Sequence, residues 1–175
     1  MKKLPASFIA ALTGLVILAS PVRSETKTLI TDSKAVIGPV LELTISQQGQ
    51  SELKFGNIRP SALGPTEAGT VLMIIDVKAN TGERYQVTQV MSGPLENAEG
   101  RKLGLEYLKF KTAGSKSNGA GIATPTNVSA SAQVIFTSDA NGSSDTITAE
   151  YTLTVPPSQE PGDYSSLLTY TVSAS

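Results

Sequence analysis

The run Thr146-Ile147-Thr148-Ala149-Glu150-Tyr151-Thr152-Leu153-Thr154-Val155 decides the fold. Ile147, Ala149, Tyr151, Leu153 and Val155 share one parity, while Thr146, Thr148, Glu150, Thr152 and Thr154 occupy the other. Successive side chains of a strand point to opposite faces, so this run is a β-strand with one dry and one wet face. Leu41-Glu42-Leu43-Thr44-Ile45 repeats the pattern, with Leu41, Leu43 and Ile45 together.

Working outward, Val71 to Ile75 is apolar on both parities, which suits a central strand covered on both sides. Arg84 to Met91, Leu105 to Lys111, Ala132 to Thr137 and Tyr164 to Val172 complete the set, each bounded by Gly, Pro, Asn, Asp or Ser. Helical spacing is nearly absent. The expectation is an all-β chain folded as an Ig-like antiparallel two-sheet β-sandwich of roughly eight or nine short strands. Tyr151, Leu153, Phe55, Ile74, Tyr164 and Tyr170 are the expected core. Pro60 to Gly69 and the Gly/Ser/Asn/Thr-rich stretch Ala113 to Val128 read as long surface loops.

Residues 1–24 read as a secretory signal peptide: Lys2 and Lys3 precede the apolar stretch Phe8 to Ala19, and cleavage is expected after Ser24. That stretch is shorter than the roughly 20 residues a bilayer span needs, so no transmembrane span is expected. The remaining residues 25–175 fit one domain. The chain has no cysteine, so packing and sheet hydrogen bonds carry its stability without disulfides. Three of the 14 basic residues (Lys2, Lys3 and Arg23) fall in the leader, which leaves 11 against 15 acidic residues and a net charge of −4. Such a balance lacks the basic footprint of a nucleic-acid binder.

The chain also has no histidine, which removes the commonest general base and metal ligand together. Ser51-Glu52-Leu53-Lys54 matches Ser-x-x-Lys in letters but leads into a strand rather than a helix. Glu42, Glu52, Glu106 and Glu150 fall on the polar side of alternating strands, where solvated surface charge accounts for them better than a glycosidase pair. Gly114 to Gly121 opens no helix that would cradle a phosphate. No enzymatic activity and no cofactor are expected.

Asp139, Asn141, Ser143 and Asp145 place oxygens at every second position, as a calcium loop does, and form a weak candidate metal site. Asn141-Gly142 between two alternating stretches is equally the commonest hairpin signal, and the loop has no bidentate Glu at the twelfth position. The hairpin is the stronger reading.

Leu41 to Ile45 followed by Leu53-Lys54-Phe55-Gly56-Asn57-Ile58-Arg59-Pro60 resembles the start of spore-coat-protein-U-like and related chaperone–usher fimbrial subunits. Val155-Pro156-Pro157 through Pro161-Gly162-Asp163-Tyr164 to Val172 resembles the closing hairpin of the same families, and also the ending of WxL-type surface domains. Tyr170 stands where the WxL pattern has Trp, and leucines stand where bridged pilins have Cys. Independently of family, Tyr164 after Pro-Gly-Asp suits a tyrosine corner, its ring buried and its hydroxyl bonded to nearby backbone.

The fimbrial resemblance implies a structural or adhesive subunit of a bacterial surface fibre, assembled by β-strand addition. It implies a periplasmic chaperone and an outer-membrane usher, self-association or pairing with other fimbrial subunits, and passage through the periplasm to the cell surface. The candidate donor extension is residues 25–40, with Leu29, Ala35 and Ile37 on one parity, Ile30 and Val36 on the other, and Pro39 interrupting. The alternative is a monomeric extracytoplasmic binding module for polysaccharide or a cell-wall component, in which this segment is an ordinary first strand.

Overall fold

The computed structural model describes residues 38–47, 53–116 and 119–175. The chain divides into two units, Met1–Val36 and Ile37–Ser175, and every described residue belongs to the second. Eleven strands occur among them: β1 Leu41–Ser46, β2 Thr66–Ala79, β3 Tyr85–Met91, β4 Leu95–Glu96, β5 Lys102–Leu103, β6 Leu108–Gly114, β7 Ala120–Gly121, β8 Thr126–Asn127, β9 Gln133–Thr137, β10 Asp145–Val155 and β11 Leu168–Ala174. Seven have five or more residues and four have two, which brackets the eight or nine expected. The described helix is a single 3-10 turn, Leu105–Tyr107.

Two antiparallel sheets form the sandwich, in the orders β1-β2-β10-β6-β8 and β11-β3-β9-β7, with β4 and β5 as a separate ribbon. β10 lies at the centre of the first sheet, in register with β2 (Ile147 opposite Ile75) and β6 (Tyr151 opposite Phe110). Its burial alternates without a break, Asp145, Ile147, Ala149, Tyr151, Leu153 and Val155 being buried. Facing them from the second sheet are Tyr85, Val87, Gln89 and Met91 of β3. Ring contacts fill the middle, Phe110 stacked on Tyr151 at 5.9 Å and Tyr85 tilted against Phe136 at 6.4 Å between centroids.

A bulge explains a break in alternation that period two does not predict. Between Val87 and Thr88 the register on β9 skips a residue, so Ile135 and Phe136, adjacent in sequence, are both buried. The buried Thr112 hydroxyl of β6 donates to the Ile135 carbonyl and accepts from Ile122 N–H, tying the two sheets together at the bulge.

Several expectations require correction. Val71 to Ile75 is covered on one face only: Met73 and Ile75 are buried, whereas Ile74 is half-buried and Leu72 is 48% exposed on the outer face. β2 is central within its sheet, but nothing among the described residues covers the outside of that sheet. The strand expected from Leu105 begins at Leu108, after the 3-10 turn. Asn141-Gly142 is not a hairpin turn, because β9 pairs with β3 and β7 while β10 pairs with β2 and β6. The seven residues between them carry the chain from one sheet to the other, across the roughly 10 Å that separates stacked sheets. The C-terminal hairpin is likewise absent, since β10 and β11 belong to different sheets. Finally, Phe55, Tyr164 and Tyr170 are half-buried rather than buried.

The turn residues still matter. Gly142 has φ +60°, and a Cβ there would lie 1.8 Å from the Glu83 carbonyl oxygen, so the crossover passes tightly against the β2–β3 connection. At the other crossover the Tyr164 hydroxyl donates to the Glu160 carbonyl at 2.9 Å, closing the expected tyrosine corner.

Leu153→Ala should cost on the order of 2–5 kcal/mol in chemical denaturation, and outward-facing Thr152→Ala far less. Tyr164→Phe should cost about 1 kcal/mol, the net worth of one hydrogen bond, with no change of fold by circular dichroism.

Candidate functional site

The two flanks of the sandwich are finished differently. On one, the segment after β6 supplies β8 to β6 and β7 to β9, so a single strap covers the edges of both sheets. Thr112 N–H donates to the Ile122 carbonyl and Ile122 N–H to the Thr112 hydroxyl, Val128 N–H donates to the Leu108 carbonyl, and Val128 is buried. This is the stretch whose composition reads as a free loop. Its glycines allow close approach: a Cβ on Gly121 would sit 2.3 Å from the Thr112 carbonyl oxygen.

On the opposite flank β1 ends one sheet and β11 the other. They lie against each other without a ladder between them. Leu41, Leu43 and Ile45 of β1 and Leu168, Tyr170 and Val172 of β11 face the core, yet all six are only partly buried, unlike their counterparts on β2, β3 and β10. Among the described residues no strand pairs with the outer edge of β11. The flank therefore presents partly buried apolar side chains beside two strand edges that have no ladder partner among the described residues, the kind of edge that can template another strand.

At the centre of β11 lies a buried polar cluster. Tyr170 stands opposite Gln89 in the ladder, its hydroxyl 2.7 Å from that of Tyr151, and Tyr151 hydroxyl donates to Gln89 Oε1. Gln89 is 1% exposed, and its Nε2 has no partner among the described residues. Burial pushes the Tyr151 phenol well above its usual range, reinforced by the neighbouring Tyr170, and burial raises Tyr170 to about 12. Sequence parity contains the signal for this cluster: Gln89 shares the inward register of Tyr85, Val87 and Met91.

The candidate calcium residues do different work. Asp139 accepts from Ser143 N–H and Ser143 hydroxyl, both at 2.8 Å, and these bonds hold its carboxyl below the usual range. Asp145 is buried and directs Oδ1 to Ser115 N–H and hydroxyl, Lys116 N–H and its neighbour Thr146 N–H. Asn141 is exposed at the turn. The two carboxylates thus serve separate intrachain donor sets, and no cluster of three or more His, Cys, Asp or Glu suited to a metal occurs among the described residues.

Leu29, Ala35 and Ile37 lie outside the described residues. Of the candidate donor extension, Gly38 to Val40 are described: Asn80 side chain accepts from Val40 N–H and donates to the Gly38 carbonyl, fixing where the chain enters β1. A polar recess of about 330 Å³ on the outer side of the first sheet is lined by Thr44, Asp76, Lys78, Lys116 and Thr146, among others. No helix among the described residues is long and apolar enough to cross a membrane.

The tyrosine cluster predicts alkaline behaviour. A phenol whose folded pKa is raised contributes stability that is complete below the unfolded value of about 10 and is lost as pH rises through the folded value. Tyr170 and Tyr85, both raised to about 12 by burial, should resist ionisation between pH 10 and 12, and stability should fall across that window. Ultraviolet titration of tyrosinate beside denaturant melts measures both. Tyrosines that all titrate near pH 10 in the folded protein would contradict the buried cluster.

No protein-family model matches the chain, and no curated protein matches it. Among solved structures it is similar to a family 123 glycoside hydrolase from Clostridium perfringens, reported for glycolipid glycan hydrolysis, at 14% identity and a TM-score of 0.37. That similarity covers 61% of this chain, which spans 18% of the hydrolase's length.

Proposed function

We propose that this protein is a structural or adhesive subunit of a bacterial surface fibre that assembles by β-strand addition. The observation that supports it is the asymmetry of the flanks: one is sealed by the strap of β7 and β8, while the other leaves Leu41, Leu43, Ile45, Leu168, Tyr170 and Val172 half-covered beside the unpaired edge of β11. An added strand would pair its backbone with that edge and seat alternate side chains on the apolar floor. The resemblance of the first and last strands to chaperone–usher subunits points the same way. Under this reading the protein is not an enzyme. It is exported behind residues 1–24, held by a chaperone while its open edge is unpaired, passed to an usher, and completed by a strand from within residues 25–40 of the next subunit, upstream of the Gly38 to Val40 anchor.

A second reading is favoured by the polar recess on the first sheet, whose hydroxyl, carboxylate and ammonium groups suit a polysaccharide. In that case the domain is a monomeric extracytoplasmic binding module.

The two readings differ in what deletion of Thr26–Val36 does. For a fibre subunit, the full mature chain should form concentration-dependent oligomers in light scattering. The deletion should stop their growth while leaving a domain that melts close to the full chain and still accepts a donor peptide. A full chain that stays monomeric at high concentration, with a deletion that melts far lower, would refute the fibre reading.

A further inference from the structure

We propose that β11 pairs with β11 of a second copy of this chain, antiparallel about a two-fold axis at Thr171, so that the β11-β3-β9-β7 sheets of two copies join into one. The pairing uses none of residues 25–40. It therefore goes beyond the strand-addition reading, with which it competes for one edge, and stands or falls apart from it.

The argument begins with the backbone groups that are free. Ser92 N–H donates to the Leu167 carbonyl and Ser175 N–H to the Arg84 carbonyl, so the odd-numbered residues of this strand turn their backbone groups toward β3. Leu168, Tyr170, Val172 and Ala174 turn theirs the other way, where no strand among the described residues pairs with them. β1 lies against β11 but belongs to the other sheet and forms no ladder with it.

Proteins guard such edges with charge, proline, a bulge or shortness. The other outer strands of the two sheets carry such guards: β7 and β8 have two residues each, and β1 bears the exposed Glu42. β11 has seven residues, an unbroken register on β3, no proline and no charge. No Asp, Glu, Lys or Arg occurs anywhere in β3, β7, β9 or β11. That composition favours a second copy as the occupant, because a two-fold contact sets one patch against itself and any charge at its centre would meet its own like.

Parity then fixes the register. Free groups meet free groups, and Leu168, Tyr170 and Val172 stay on the core side, only when even-numbered residues face even-numbered ones. With the axis at Thr171 all seven residues pair: Leu168 meets Ala174 of the second copy, Thr169 meets Ser173, Tyr170 meets Val172, and Thr171 meets its own counterpart. About eight backbone hydrogen bonds result, two for each of the four facing even-numbered pairs. An axis at Tyr170 would pair only the five residues 168–172 and form about six. The half-buried side chains of β11 gain cover, and outward hydroxyls face hydroxyls.

The test places single cysteines in the full mature chain, which has none of its own. Odd-numbered residues form the close, non-hydrogen-bonded pairs of the new ladder, with Cα atoms about 4.5 Å apart. Under mild oxidation Thr171→Cys should form a covalent dimer at least about ten-fold faster than Thr169→Cys, whose two copies lie beyond the roughly 7 Å limit for a bridge. Mixing Thr169→Cys with Ser173→Cys should restore linkage. In sedimentation, Thr171→Lys and Thr171→Asp should each shift the non-covalent dimer to monomer, and mixing the two should bring it back, because like charges directly opposite repel and unlike ones attract. Linkage at 171 no faster than at 169, or a dimer that mixing does not restore, would overturn the pairing. Strand addition is read separately, from the oligomer growth that deletion of Thr26–Val36 stops. A chain that dimerises through Thr171 without such growth would sink the fibre reading alone, and a wild-type chain that stays monomeric would overturn both.

Discussion

Every other element takes its position from β10. Eleven residues of unbroken alternation give one strand enough ladder to hold β2 on one side and β6 on the other, while its inward set supplies the floor of the core. A strand with so largely apolar a face cannot stand alone in water, and the opposing sheet covers it. β3 does so most directly, with Tyr85, Val87, Gln89 and Met91 alternating inward. With no disulfide available, the mutual burial of these two central strands, together with the ladders they organise, is what holds the domain.

Two central strands leave four sheet edges to manage, and the chain deals with them unevenly. The edges of β6 and β9 are both capped by a strap whose paired segments are two residues long, too short to recruit another chain, and which carries Pro125 between them. The Thr112 hydroxyl locks this flank by bonding across from one sheet to the other. The edges of β1 and β11 receive nothing comparable among the described residues. Both keep runs of six or seven residues with regular inward apolar positions, the form of edge that proteins ordinarily hide.

How far the sequence discloses this follows from which signals are local. Alternation in Leu41 to Ile45 and Thr146 to Val155 reads directly as strands with the correct inward face, because period two is a property of the strand itself. The tyrosine corner is legible for the same reason, since its bond closes over four residues, from Tyr164 to Glu160. Partnership is not local. Asn141-Gly142 looks the same whether it reverses the chain within a sheet or carries it to the other one, and the choice depends on where β2 and β6 lie. The consecutive burial of Ile135 and Phe136 depends on a bulge opposite β3, and Ala113 to Val128 looks unstructured because its anchors, Thr112 and Leu108, belong to a neighbouring strand. Of the candidate site, the partly buried strands β1 and β11 were legible, and the polar trio beneath them had one sign, a glutamine at a core parity.

That glutamine bears on how β11 is aligned on β3. An all-apolar floor would accept any apolar strand in any register that preserves parity, so a slip of two residues would cost little. A buried hydrogen-bonding group changes this, because it is satisfied in one register and left unpaired in the others, and the penalty for the unpaired state is the larger of the two effects. Gln89, Tyr151 and Tyr170 can then act on a β-strand as a polar core position acts on a coiled coil, giving up some affinity to fix alignment. The same trio joins the edge strand β11 to the central strands of both sheets. Alignment of β11 is thereby coupled to the part of the core that the fold depends on most.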